Sequence, residues 1–249
     1  MIISIDHVVI LVSDLEAAIA DYTALGFTVM PGGTHTGGAT HNALVVFEDD
    51  TYLELIAFLR EAPEHPWWRH QPAGEGLVDF ALLPTAIAQD VADARARGLA
   101  MDGPNDGGRL RPDGQQVAWR TARPREAGLP FLCGDVTPRE LRVAIGAVRQ
   151  HANGVTGIAG VTVVSEDVWA TAGYYQALLG AKQASPTFPV GNATITLAAP
   201  LARASEHDPL RAHLARHGAG PFALTLRGPS AGALDPELTH GVPIDLVQG

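Results

Sequence analysis

Cysteine is nearly absent: Cys133 is the single one in 249 residues. No intrachain disulfide can form, and thiolate-only zinc sites are excluded. One lone thiol suits a reducing compartment, so the cytoplasm is the expected location. Bases are scarce as well, with 17 Lys and Arg against 27 Asp and Glu and a formal net charge of -10. Nonspecific nucleic-acid binding rests on basic surface, so nucleic acid is not an expected partner. No apolar run reaches ~18 residues, and no membrane span is expected. The apolar opening, MIISIDHVVILVSD, lacks a basic start and is interrupted by Asp6 and His7. It reads as a strand and not as a signal peptide. Glycines cluster at 32–38 but lack the G-x-x-x-x-G-K-[ST] order of a phosphate loop.

What remains is a folded composition: 46% hydrophobic, 18% charged, enough to bury a full core. Ile3 to Val12 is rich in Val and Ile and reads as a largely buried strand. Ser13 and Glu16 form a capping-box pattern before a helix over 14–24, whose Leu15, Ala18, Ile19 and Tyr22 share one face. Gly26 stops it. Strands follow at Phe27–Met30, ended by Pro31-Gly32-Gly33, at Asn42–Phe47 and at Tyr52–Phe58. The unit is β-α-β-β-β.

The unit recurs. With Ile5–Leu25 laid over Ile158–Leu178, Ile5, Val8, Asp14, Ala17, Tyr22, Ala24 and Leu25 meet Ile158, Val161, Asp167, Ala170, Tyr175, Ala177 and Leu178. A middle copy is looser: a strand LVDFALLP, a helix capped by Thr85 and stopped by Gly98, a hairpin turning at Pro112-Asp113-Gly114, and a closing strand LPFLCGD. Thr137–His151 reads as a connecting helix, with Pro138 in its first turn. The expected organisation is residues 1–135 as two units, 136–153 as a connecting helix, and 154–249 as a second, partly degenerate pair. The fold class is α+β, with repeated units curving mixed sheets around a cavity.

Polar residues stand out against this background. Strict alternation puts His7 on one face with Ile3, Ile5, Val9 and Leu11, and Glu54 on one face with Tyr52, Ile56 and Phe58. An ionised Glu54 there must be paired, metal-bound or open to water. If the two strands lie side by side, His7 and Glu54 meet, giving half of a typical divalent-metal shell or a satisfied structural pair. In the second copy His7 corresponds to Gly160 and Glu54 to Thr196, so the fold does not require them. His35 and His41-Asn42 flank the glycine-rich stretch as a ligand-facing rim or an ordinary loop. Tyr52, Trp67, Trp68, Trp119 and Phe131 line a pocket or fill the core. Arg95, Arg97, Arg109, Arg111, Arg120, Arg123 and Arg125 make the middle locally basic, as solvated arginines or as the lining of an anion pocket. His213 and His217, four apart on a helix, read better as a solvated face than as a metal pair. Cys133 lacks an identifiable activating base.

The segments IDHVVILVSDLEAAIADYTALGF at 5–27 and GTHTGGATHNALVVFEDDTYLELIAF at 33–58 resemble the vicinal oxygen chelate superfamily, the glyoxalase and extradiol-dioxygenase fold, and within it the glyoxalase-like-domain proteins. That resemblance implies a curved-sheet cavity, with ligands to a divalent metal (zinc, nickel, manganese or iron) from the first and fourth strands of paired units. His7 matches the first-strand histidine and Glu54 the fourth-strand carboxylate. The middle unit offers Asp79 or Phe80 and then Phe131 to Gly134, with only Cys133 as a donor. Metal ligands are thus expected at His7, Glu54 and Asp79, with waters or His41 completing the shell. Glu54 and His41 are the expected catalytic groups, and His35, His41, Asn42 and Tyr52 the substrate contacts. The implied activity is a metal-dependent lyase or isomerase that chelates two neighbouring oxygens of a small substrate. Alternatives are a ring-cleaving dioxygenase and a metal-free small-molecule binding or sequestration protein. A small molecule is the expected partner, and the chain is expected to be a monomer or a homodimer.

Overall fold

The computed structural model describes residues 1–201 and 208–249. The first unit is β1 (Ile2–Leu11), α1 (Leu15–Ala24), β2 (Met30–His35), β3 (Thr40–Val46) and β4 (Tyr52–Phe58). After a 3-10 turn at Trp68–Ala73 come β5 (Gly76–Pro84), α2 (Ile87–Ala96), β6 (Met101–Leu110), β7 (Gln116–Pro124) and β8 (Phe131–Asp135). These eight strands close into a barrel in the order β1-β4-β3-β2-β6-β7-β8-β5. Residues 137–151, expected as one helix, form α3 (Arg139–Arg142) and a 3-10 turn at Ala147–Arg149. Then follow β9 (Gly157–Val164), α4 (Val168–Leu179), β10 (Thr187–Val190), β11 (Ala193–Ala198), α5 (Pro209–His217), β12 (Gly220–Gly228), β13 (Gly232–Ala233) and β14 (Ile244–Gln248). Their strands make an open six-stranded sheet, β10-β11-β9-β12-β14-β13. No described helix is long and apolar enough to cross a membrane.

β1 is buried on both faces, which explains its near-continuous apolar sequence. Ile5, Val8 and Ile10 join a core shared with α1 and the second sheet, while Val9 and Leu11 point inside the barrel with Trp67, Phe131 and Cys133. α1 begins one residue later than the capping-box pattern suggests: Asp14, not Ser13, is the cap, accepting from the Glu16 and Ala17 amides. α2 has no side-chain cap, and Thr85 bonds the chain's first residue instead.

β2 departs most from expectation. Pro31-Gly32-Gly33 was expected to end a strand, yet it lies inside one. The reason is closure. β2 is wedged between β3 and β6, and a Cβ on Gly32 would sit 2.0 Å from Asn42 Oδ1, one on Gly33 2.1 Å from Leu110 O. Only glycine lets the two flanking strands approach this closely.

The register of β1 on β5 slips three times. Ile3 is extra near the start of β1, Asp6 is extra between Ile5 and His7, and Val78 is extra on β5. A bulge turns two successive residues toward the same side. The strict alternation expected for Ile3, Ile5 and His7 therefore fails at Ile5, and Asp6 shares the interior with His7.

Candidate active site

The bulge seats a carboxylate in a place that few carboxylates occupy. Asp6 is fully buried, and an unpaired charge there is very costly. It is paired. Arg142, itself buried, donates to both of its oxygens at 2.6 and 3.1 Å, and Arg139 lies 2.8 Å from Oδ1. Burial pushes the Asp6 pKa up, but Arg142 first and then His7 outweigh it and hold the carboxyl well below the usual range. Asp6 Oδ2 lies 2.6 Å from His7 Nδ1. This fixes the ring, which stacks on Tyr52 with 4.5 Å between centroids and meets the edge of Phe131. Tyr52 is held in turn by Arg142, which donates to its hydroxyl at 2.8 Å.

The far nitrogen, His7 Nε2, faces Glu54 Oε2 at 3.5 Å. β1 and β4 are parallel neighbours, with His7 opposite Tyr52 and Val9 opposite Glu54, so the expected meeting occurs. A second imidazole arrives from β2: His35 Nε2 lies 3.3 Å from Glu54 Oε1, and His35 Nδ1 lies 2.9 Å from Thr40 Oγ1. Asn42 donates to Glu54 Oε1 at 2.6 Å. Burial would raise the Glu54 pKa, but His35, then His7 and Asn42, bring it down to about 2. A chain of groups thus runs from Arg142 through Asp6, His7 and Glu54 to His35.

The chain borders a cavity of about 260 Å³ inside the barrel. His7, His35, Tyr52 and Glu54 line it, as do the aromatic groups of Trp67, Trp119 and Phe131 and the guanidinium groups of Arg109, Arg123 and Arg142. Asn42 stands behind Glu54. His41 does not line the cavity: Asn42 points inward, so its strand neighbour points out. Trp68 packs on Phe58 instead of facing the space. Cys133 lines the wall, but burial pushes its thiol up to about 12, leaving no useful thiolate at neutral pH. His65, a residue the sequence did not single out, also lines the wall, its pKa lowered to about 4 by burial and then by nearby positive charge.

The register tests the expected metal shell. His7 follows the bulge at Asp6 as Asp79 follows the bulge at Val78, and β5 on β8 sets Ala81 against Phe131 as β1 on β4 sets Val9 against Glu54. The four equivalent positions therefore hold His7, Glu54, Asp79 and Phe131. Phe131 has no donor atom. Asp79 is spent: Oδ2 accepts from Trp67 Nε1 at 2.7 Å and Arg123 at 2.6 Å, and Oδ1 accepts from the Phe80 amide. Arg123 also lies over the Phe131 ring, 4.4 Å from its centroid. His7 and His35 approach different oxygens of Glu54 and do not converge on one point. Among the described residues, no group of three or more His, Cys, Asp or Glu side chains is placed to hold a metal ion. The residues present do not fit the expected ligand set.

The polar pair thus sits in a barrel whose pedigree is clear. A family model described as a glyoxalase-like domain matches residues 5–179, and the chain belongs to that family. Its fold is that of the vicinal oxygen chelate superfamily. Among solved structures, a hypothetical protein from Staphylococcus aureus superposes with a TM-score of 0.75 over 98% of this chain and 99% of its own, at 11% identity. A triple mutant of 4-hydroxymandelate synthase from Streptomyces coelicolor gives 0.60 over 91% and 71%, at 18% identity. A xylose isomerase-like TIM barrel/4-hydroxyphenylpyruvate dioxygenase fusion protein gives 0.53 over 91% of this chain and 36% of that one, at 12% identity. These likenesses establish the fold alone. No curated protein matches the sequence.

Proposed function

We propose that the barrel formed by residues 1–135 is a lyase- or isomerase-type site that moves a proton on a small oxygenated substrate. The observation that carries this reading is Glu54 held between His7 and His35 at the wall of the cavity. With both imidazoles beside it, Glu54 is ionised but weakly basic. A substrate carbonyl entering the cavity competes for the His35 Nε2–H and for the His7 Nε2–H, which exists when His7, with its Nδ1–H given to Asp6, is an imidazolium. As they turn to the substrate oxygen, Glu54 loses the partners that depress its pKa and becomes the stronger base. It takes a proton from the carbon next to the carbonyl, and the charge that develops on oxygen is met by hydrogen bonds from His7 and His35. The substrate's own hydroxyl proton passes to the former carbonyl oxygen, and Glu54 returns the abstracted proton to the former carbonyl carbon, which completes an isomerisation without net oxidation or reduction. Asp6 and Arg142 hold His7 in one orientation.

The implied divalent metal would need donors that Phe131 lacks and Asp79 has committed elsewhere, so neither the chelating nor the ring-cleaving version is carried further. A second reading, metal-free sequestration, is favoured by the aromatic wall of Trp67, Trp119 and Phe131.

The test uses chelator-treated protein in deuterium oxide with small α-hydroxy ketones such as hydroxyacetone. Proton NMR should show enzyme-dependent exchange at the α-carbon, reduced about 10²- to 10⁴-fold in E54Q. Saturable binding without exchange returns the sequestration reading. Exchange that needs added metal, with about one ion per chain by elemental analysis, overturns the metal-free mechanism.

A further inference from the structure

Three guanidinium groups face the cavity, and two have carboxylate partners. Arg123 is paired with Asp79, and Arg142 with Asp6 and Asp135. Arg109 differs. It is buried, 3% exposed, yet no carboxylate among the described residues lies within ion-pair distance of it. Among the described residues its one hydrogen bond runs from Nη2 to Arg142 O at 2.9 Å, and its buried Nε has no partner. Burial pushes its pKa down, and of the groups acting on it through space Tyr52 comes before Glu54, a carboxylate already shared among His7, His35 and Asn42. An unpaired buried cation is expensive, and a guanidinium with free N–H groups is shaped for a planar anion.

Its position is set by the barrel seam. On β6 it lies opposite His35 of β2, and Gly107, two residues back on the same face, lies opposite Trp119 of β7. The guanidinium, the imidazole and the indole therefore border one space.

We propose that Arg109 anchors the carboxylate of a small organic monoanion, whose flat apolar body lies along Trp119 and Phe131 and whose reactive oxygen is presented to His7 and His35. This names the substrate class of the site proposed above and rests on the barrel cavity being a small-molecule site. One guanidinium matches one negative charge, which favours a monocarboxylate over a phosphate ester. The bound anion supplies the counter-charge that Arg109 lacks, and the carboxylate is held at a fixed distance from Glu54.

The test is calorimetric titration of the full chain with benzoate, with its neutral isostere benzamide, and with inorganic phosphate. Benzoate should bind at least about tenfold more tightly than benzamide, and phosphate more weakly than benzoate. R109Q should abolish the preference for benzoate over benzamide. Should R109Q fail to fold, the wild-type Arg109 Nε–H resonance decides: benzoate should shift it and benzamide should not. Equal affinities in wild type, a preference that survives in R109Q, or an unmoved resonance overturns the proposal. Tighter phosphate overturns the carboxylate class. Binding through Arg109 without α-proton exchange leaves this inference standing and sinks the proton-transfer reading. No binding of any probe at millimolar concentration sinks both.

Discussion

The barrel and the second sheet share a register down to their irregularities, but differ in what they bury. Ile5–Leu82 and His7–Ala81 in the barrel have counterparts in Ile158–Leu226 and Gly160–Thr225, so the bulge that makes Asp6 extra also makes Ala159 extra. His7 opposite Tyr52 becomes Gly160 opposite Thr194, and Val9 opposite Glu54 becomes Thr162 opposite Thr196. Asp79 becomes Ala223. The bulges therefore belong to the fold, because they persist where no polar group exploits them. The buried carboxylates do not, because the same framework forms without them. Asp6 is a buried charge that the backbone does not need and that requires arginines from a separate helix to neutralise it.

The sharpest way to break this comparison is R142M. It leaves Asp6 buried without its main partner, and the free energy of unfolding should fall by about 3–5 kcal/mol, read from urea denaturation. A fall under about 1 kcal/mol would mean that Arg139 alone satisfies Asp6.

A smaller effect lies where the halves meet. His70 of the 3-10 turn stacks near His217 of α5, which stacks on His213. Burial, then neighbouring positive charge, lowers His70 and His213 to about 4. Their folded pKa lies below the ordinary 6.5, so the unfolded chain takes up protons first as the medium is acidified. The stability these groups contribute is whole above pH 6.5 and is lost as pH falls toward 4. The urea midpoint should drop across that window, and H70Q should flatten the drop; an unchanged slope would show that the contact does not form in solution.

The smallest effect is the control. T196V alters the counterpart of Glu54 in the second sheet, where no relay exists, and should change stability by less than about 0.5 kcal/mol. A larger loss would show that this face of the second sheet has a role of its own.

Much of this was legible beforehand. Tyr52–Phe58 reads as a strand and is one, and Pro112-Asp113-Gly114 turns the hairpin as its residues require. The offset between the repeats places Gly160 and Thr196 where the register puts them. The second strand was expected at Phe27–Met30 and of β6 only its end at Arg109-Leu110, because MPGGTH and MDGPNDGGRL carry loop residues that are strand only where closure supplies partners on both sides. Asp6 was missed because a bulge leaves no mark in an alternating pattern. His41 and Asn42 were expected together as substrate contacts, with His41 also as a catalytic group, yet Asn42 is the one that bonds Glu54. Arg142 gave no signal at all: a helix of four residues carries it to Asp6 from far along the chain.

By itself, then, the sequence determined the repeated unit, the choice of His7 and Glu54 as the out-of-place polar groups on their strands, and the acidic, cysteine-poor character that rules out disulfide scaffolds. Those follow from local periodicity and from residue identity, which every segment carries with it. Tertiary structure alone decided that Asp79 goes to Arg123, that His35 joins Glu54, and that Arg109 is left without a carboxylate. These depend on which side chains closure brings within a few ångströms, and the strong distance dependence of hydrogen bonds and ion pairs makes that proximity the deciding quantity.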